Sequence, residues 1–440
     1  MLSRRLSLFC ALACASPAAH ASLSPVEHTM IATVDAEQAR SIALLERLVN
    51  VNSGTMNLPG VEAIARLVRP EFEALGFDVR WIPMAEVGRA GHLVASKRGD
   101  GTGKRLLLIG HLDTVFEPDS GFDRFVKHGD VLEGPGVSDD KGGIVAIVSA
   151  LRAMQAAGTL AAADITVFLT GDEERVGIPR TRSRRHLLDA AGAADIALDF
   201  EPLSDPGGVE HGSISRRSSV AWTLRTAGRS GHSSGIFSEN AGYGALYEMA
   251  RILDEFRRAL PEPGLTYNVG LVVGGATAAL NETVTGGDAT GKNNIIAGTA
   301  IARGDIRALT DEQAARVRAS MARIIADHLP GTGAEIEFAE GYPAMPETDG
   351  NRAILSLLNA VNADLGLPEM PPLSPLMRGA GDVSFVAARL DAMAGMGPSG
   401  EKGHSKGESI TATSLNRQGK RAALLMSRLS REAREALPPR

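Results

Sequence analysis

An α/β domain interrupted by a separate small α+β unit is the architecture this sequence predicts, and three observations carry the prediction. The apolar run over 106–109 is continuous rather than alternating, as a strand covered on both faces requires, and 165–169 and 196–198 read as two further buried strands. Each run ends in polar residues: Gly110-His111-Leu112-Asp113, Gly171-Asp172-Glu173-Glu174 and Asp199-Phe200-Glu201. Open α/β sheets place their sites just past the C-terminal ends of strands. Between residues 216 and 338 the style changes to alternating strands and long helices in the order β-α-β-β-α-β, which marks a unit inserted into the first domain.

The chain begins with an export pattern. Arg4 and Arg5 precede a short apolar run over 6–15, and Ala19-His20-Ala21 is an A-x-A cleavage site. The run is too short to span a bilayer, which weighs against a membrane anchor. Ala11-Leu12-Ala13 before Cys14 fits a lipoprotein signal poorly. Cleavage after Ala21 is the expectation, with a periplasmic or secreted product. It would remove both cysteines, Cys10 and Cys14, leaving neither disulfides nor thiolate ligands. It would also remove two positive charges and take the net charge from −6 to −8. Nucleic-acid binding needs a basic surface, so that class is disfavoured.

Along the remaining chain, 35–51 reads as one amphipathic helix with Ile42, Leu45, Leu48 and Val49 on a face. A second helix follows Gly60, 77–83 is strand-like, and 142–156 is helical. In the inserted unit, 220–226 alternates, 240–260 is a helix, and 266–273 and 295–307 are strands. Thr310 with Gln313 three residues on forms a capping box that opens a helix to about His328, and 334–338 closes the set. The α/β style returns over 352–365 and 382–390, with a last helix from about Asn416. The expected division is a signal peptide over 1–21, a catalytic domain over 22–215 and 339–440, and an inserted domain over 216–338.

Five places carry chemistry. His111-x-Asp113 at a strand end points both side chains the same way. The aspartate there can accept the second ring N–H of a metal-bound histidine, although a polar turn would read the same. The glycines around Ser138-Asp139-Asp140-Lys141 allow an unusual backbone at a helix start, where the dipole favours an anion or a metal-held carboxylate. No phosphate-loop motif is present. Adjacent Glu173 and Glu174 repel unless something positive neutralises them. One could ligate a metal and the other act as base on a bound water; a solvated acidic turn is the plainer alternative. Glu201 past a third strand and His404 in a Gly-rich loop complete the set.

In order and spacing, His111-x-Asp113, Asp139-x-Lys141-Gly-Gly, Asp172-Glu173-Glu174, Phe200-Glu201-Pro202 and the late His404 resemble one family. It is the glutamate carboxypeptidase, aminoacylase and succinyl-diaminopimelate desuccinylase family of co-catalytic metallopeptidases, peptidase family M20. The resemblance runs from about Ala36 to the C-terminus. It implies a mixed-sheet, three-layer zinc-exopeptidase catalytic domain with an inserted ferredoxin-like lid and dimerisation domain. It also implies two zinc ions per chain, with cobalt or manganese as substitutes. Asp139 would bridge the two ions, His111 and Glu201 would complete one site, and Glu174 and His404 the other. Asp113 would orient His111, and Glu173 would be the general base.

Gly228-Arg-Ser-Gly231-His232-Ser233 matches the family loop whose histidine crosses a homodimer to the partner's site. Asn294 in Lys292-Asn293-Asn294 and Arg307 in Asp305-Ile306-Arg307 match substrate-binding segments, with Arg307 the partner for a substrate carboxylate. Gly379 and Gly381 match a Gly-rich segment that contacts that carboxylate through backbone N–H groups. The chain departs from the family at Arg175-Val176-Gly177-Ile178-Pro179 and the basic cluster Arg180, Arg182, Arg184 and Arg185. That cluster reads as a solvated helix start or, alternatively, as a contact for an acidic substrate. Ala297 stands where the family usually has proline.

The resulting expectation is an exported two-metal hydrolase that cuts an amide bond next to a free carboxylate. The leading form is a carboxypeptidase releasing a C-terminal amino acid such as glutamate. An aminoacylase, deacylase or dipeptidase keeps the fold and changes the substrate, a peptide or N-acyl amino acid. A non-catalytic metal or peptide binder is the reading from another class, and a polyanion binder conflicts with the acidic charge. No membrane association is expected after signal cleavage.

Overall fold

The structure, a computed structural model, describes residues 23–434; the leader expected over 1–21, with both cysteines, lies outside them. A six-stranded sheet forms the centre. Across it the order is Asp78–Pro83, Gly91–Lys97, Asp164–Thr170, Arg105–His111, Ile196–Asp199 and Asp391–Ala394. The last four strands are parallel, and the first two join antiparallel, so the sheet is mixed.

The continuous apolar run over 106–109 divides between two faces because successive side chains in a strand alternate. Leu106 and Leu108 enter one core with the helices Pro25–Ala36, Gln38–Val49, Lys141–Ala156 and Ala412–Leu429. Leu107 and Ile109 enter a second core under the short helices Arg185–Ala191 and Val383–Val386. The result is a three-layer α/β/α arrangement. Each fully buried aliphatic side chain in it contributes about 1.5–3 kcal/mol of transfer free energy.

The chain from Val220 to Phe338 builds a second sheet with its own core. Its order is Thr332–Phe338, Val220–Gly228, Thr299–Arg307, Thr266–Gly275, all antiparallel. The helices Ala245–Ala259 and Asp311–Ala326 cover one face around Trp222, Ile252, Phe256 and Met321. Thr310 caps the second helix by accepting from Gln313 N at 3.1 Å, while the Gln313 side chain accepts from Leu309 N.

Three expectations need correction. The helix read over 35–51 is two helices, broken at Glu37, whose φ of −98° and ψ of 10° leave the helical region. The helix read over 240–260 starts only at Ala245, because Gly242 and Gly244 take φ of 69° and 79°. The last helix starts at Ala412, where Thr411 accepts from Ser414 N. A hairpin, Thr277–Leu280 with Gly287–Thr290, was not foreseen.

Candidate metal centre and substrate cleft

Parallel register builds the site. His111 pairs with Thr170 and Ile109 with Asp199, so the loops after three strands leave the sheet at one edge. His111 is buried, and its Nε2 lies 2.8 Å from Asp139 Oδ1. Its Nδ1 lies 3.0 Å from the Asp113 carbonyl oxygen and 3.5 Å from Asp113 Oδ1. The ring is therefore oriented by the Asp113 backbone more closely than by the expected carboxylate. That carboxylate is engaged elsewhere: it accepts from Thr55 Oγ1 at 2.6 Å, Glu173 N at 3.0 Å and Glu174 N at 3.1 Å. Asp113 thus fixes the backbone of the acidic pair as well as the imidazole.

Asp139 is presented by a loop that Glu408 clamps. The buried Glu408 carboxylate accepts from Ser138 N at 2.7 Å, Asp139 N at 3.0 Å and Gly136 N at 3.3 Å. A small sheet that pairs Val131–Glu133 with Ser409–Thr411 brings this loop beside the one holding His404. His404 has φ of 61°, and its Nε2 lies 3.0 Å from Asp139 Oδ2 and 3.2 Å from Glu174 Oε1. The Asp139–Asp140 peptide is cis. Lys141 is buried and donates to the carbonyls of Val51 and Pro135.

These residues fit a pair of divalent ions. His111, Asp139 and Glu201 offer ligand atoms within 4.8 Å of one another, and so do Asp139, Glu174 and His404. Asp139 is common to both sets and turns one oxygen to each imidazole, so it would be the ligand shared by the two ions. Glu174 Oε1 is buried and, apart from the close approach of His404, has no hydrogen-bond donor. Burial, with Glu201 and Asp382 nearby, pushes the Glu173 carboxyl well above the usual range, and burial raises Glu174 to about 7. Burial works the same way on Asp139, but hydrogen bonds from His111 and His404 outweigh it and hold that carboxyl low. Cations held between the ligands would neutralise a carboxylate cluster with this desolvation.

A cleft of about 530 Å³ opens beside the cluster, with Asp139, Glu173, Glu201 and His404 in its lining and Gly379 on its wall. A Cβ on Gly379 would lie 3.6 Å from Arg307 Nη1, and one on Gly381 would meet Arg216 Nη1 at 2.0 Å. Arg307 therefore reaches the rim of the cleft, its Nε donating to Asp305 at 2.9 Å. His232 and Asn294 do not line the cleft. They face each other at 3.5 Å on an exposed part of the inserted unit.

Four further residues serve the site without any motif in the sequence. Arg216 Nη2 and Arg378 Nη2 both donate to Glu201 Oε2, at 2.6 and 3.1 Å. Tyr342 donates its hydroxyl to the Glu173 carbonyl at 2.8 Å. Arg184 corrects the solvated reading of the basic cluster: it is fully buried, with Nη1 2.6 Å from Asp172 Oδ1 and Nε 2.7 Å from Asp382 Oδ1. Its neighbours Arg182 and Arg185 are exposed, as a solvated helix start requires.

Residues 107–428 match the peptidase family M20/M25/M40. The chain belongs to this family. It is a metal-dependent peptidase or amidohydrolase by that membership. Among its relatives, carboxypeptidase G2 of a Pseudomonas species is 27% identical over 364 residues, 82% of each chain. Succinyl-diaminopimelate desuccinylase of Acidiphilium cryptum is 28% identical over 386 residues, 86% of this chain and 95% of the relative. Among solved structures, a tripeptidase of Staphylococcus aureus has a TM-score of 0.71 at 20% identity, covering 90% of this chain and 99% of the other. That last likeness is one of fold. Among the described residues, no helix of this M20 peptidase is long and apolar enough to cross a membrane.

Proposed function

We propose that this M20 peptidase is an exported two-zinc carboxypeptidase that releases a C-terminal amino acid such as glutamate. The observation that carries the reading is the placement of Arg307 beside Gly379, at the rim of the cleft that holds the acidic cluster. A planar guanidinium there binds a free carboxylate bidentately and seats the adjacent amide at Glu173 and the ligand set. Likeness to carboxypeptidase G2 along most of both chains supports the same choice. Export rests on the leader grammar of residues 1–21.

His111, Asp139 and Glu201 would hold one metal ion, and Asp139, Glu174 and His404 the other. Imidazole and carboxylate donors without thiolate suit zinc, with cobalt or manganese as substitutes. Bound there, two such ions acidify the attacking water and polarise the scissile carbonyl. A Glu173 carboxylate oxygen takes the proton from that water and passes it to the leaving nitrogen. Arg307 and the backbone of Gly379 and Gly381 orient the substrate carboxylate. His232 and Asn294, exposed on the inserted unit, act on the cleft of a second copy in a homodimer, where His232 holds the carbonyl oxygen.

A second reading, an N-acyl-amino-acid deacylase, is favoured by likeness to a desuccinylase over 95% of that relative. Metal content and hydrolysis of C-terminal dipeptides, N-acyl amino acids and acyl-glutamates, with and without chelator, separate the two. Fastest release of C-terminal glutamate, lost with chelator, supports the carboxypeptidase. Preference for simple acyl groups supports the deacylase, and chelator-resistant turnover removes both.

A further inference from the structure

The two segments that join the inserted unit to the main sheet run side by side. Arg216 bridges to Met345 and Ser219 to Tyr342, with reciprocal backbone hydrogen bonds of 2.8–3.0 Å. Each segment sends one polar side chain into the site. From the outgoing segment, buried Arg216 donates to Glu201. From the returning segment, Tyr342 donates to the carbonyl oxygen of Glu173.

Tyr342 is held on more than its hydroxyl. The Arg180 guanidinium sits 4.9 Å over its ring, and the Phe385 ring lies 5.1 Å away. Phe385 in turn lies under Arg184, which ties Asp172, next to Glu173, to Asp382, next to Gly381. The ribbon also hydrogen-bonds to Ala308, the residue after the strand that ends at Arg307. Ser218, between the two bridges, accepts at its hydroxyl from Ala308 N at 3.0 Å and donates its own N–H to the Ala308 carbonyl at 2.8 Å. Arg307 is thus one residue from a contact with the ribbon, and the ribbon contacts both Glu201 and Glu173.

We infer that this paired linker is a coupling element, in which Tyr342 and Arg216 are positioning residues that set Glu173 and Glu201 according to the placement of the inserted unit. The inference rests on reading Glu173 as the base and Glu201 as a metal ligand. Its physical basis is the short range of the contacts. A hydrogen bond of normal length is lost within a shift of about 1 Å, and a displacement of that size at a catalytic group costs about a hundredfold in rate. A substrate carboxylate drawn to Arg307 pulls on the same ribbon that orients the base.

Tyr342→Phe tests this with little disturbance, since the ring and its contacts stay and only the hydroxyl goes. The expected result is a fall in kcat of about tenfold or more, with KM, metal content and melting temperature held. An unchanged kcat overturns the inference for Tyr342. So does a fall in kcat accompanied by a matching loss of melting temperature, which marks a bond that only holds the fold. For Arg216, Arg216→Lys keeps the charge, and competition with a graded chelator should show about tenfold weaker binding of one metal ion. Unchanged metal affinity overturns that half. Glu173→Ala keeps the underlying reading separate: if that variant turns over, the base assignment fails, whatever Tyr342→Phe does.

Discussion

Two groups of polar residues meet different fates in this fold. His111, Asp139, Glu174, Glu201 and His404 come from loops far apart in sequence, yet their ligand atoms converge into two clusters at one sheet edge. His232 and Asn294 lie on the inserted unit, exposed and paired with each other, and neither lines the cleft. The difference lies in what positions them. Parallel strands in register force three loop ends together, and Glu408 and Asp113 then clamp the backbones with five N–H groups between them. His232 is held within the inserted unit, its Nδ1 accepting from Ser234 N at 3.2 Å and its backbone paired with Ile295, and no clamp from the main sheet's loops is among its contacts in the described residues. One group is assembled by a single chain, and the other, on the reading proposed above, waits for a second.

Removing the base separates the two groups of residues most strongly. Glu173→Ala should lower kcat by about a thousandfold or more while metal content, measured on the purified protein, stays at the wild-type value. Retained turnover would show that the clustered residues do not include the base. His232→Ala should lower kcat by about a hundredfold, again without loss of metal. Mixing the two inactive variants sharpens the point. If His232 serves a partner's cleft, exchanged dimers contain one intact site and recover roughly a quarter of wild-type activity. No recovery on mixing would place His232 in its own chain's chemistry or outside catalysis. Arg307→Ala should raise KM for carboxylate-bearing substrates about tenfold or more with a smaller change in kcat, and equal KM values would move carboxylate capture to another group.

The same contrast explains what could be read from the sequence. His111, Glu174 and Glu201 lie at or just past the ends of apolar strands, and strand ends at one edge of an α/β sheet meet by construction. Histidines and carboxylates at those positions were therefore legible, as were the layer order and the second sheet. Arg184 was not, because a run of arginines reads as solvated surface. Its partners Asp172 and Asp382 lie 12 and 198 residues away, and pairing at such separation has no local signal. Tyr342, Arg216 and Glu408 act through backbone groups or through a ligand, so residue type alone says nothing of them. The hairpin over 277–290 escaped because its Gly, Thr and Asn content suits a loop as well as a short exposed strand.

Glu174, in the acidic cluster, and Glu27, already paired with Arg428, are shifted in opposite directions. Burial raises Glu174 to about 7. Burial acts on Glu27 in the same direction, yet hydrogen bonds from the Ser24 backbone and hydroxyl, and then from Arg428, outweigh it and bring Glu27 down to about 2. The bonds are 2.8 Å from Ser24 N and 2.9 Å from Arg428 Nε, so the first helix is tied to the last. A carboxyl whose folded pKa lies below its unfolded value of 4.5 stabilises the fold above that value and loses the contribution as pH falls towards 2. Part of this pair is open to solvent and its strength is screened accordingly. Glu27→Gln should therefore lower the melting temperature at pH 7 by only a few degrees, and the gap to wild type should close as the pH is brought down to 2. A gap that stays constant from pH 7 to pH 2 would mean that helix packing, and not the charge on Glu27, joins the two ends of the described chain.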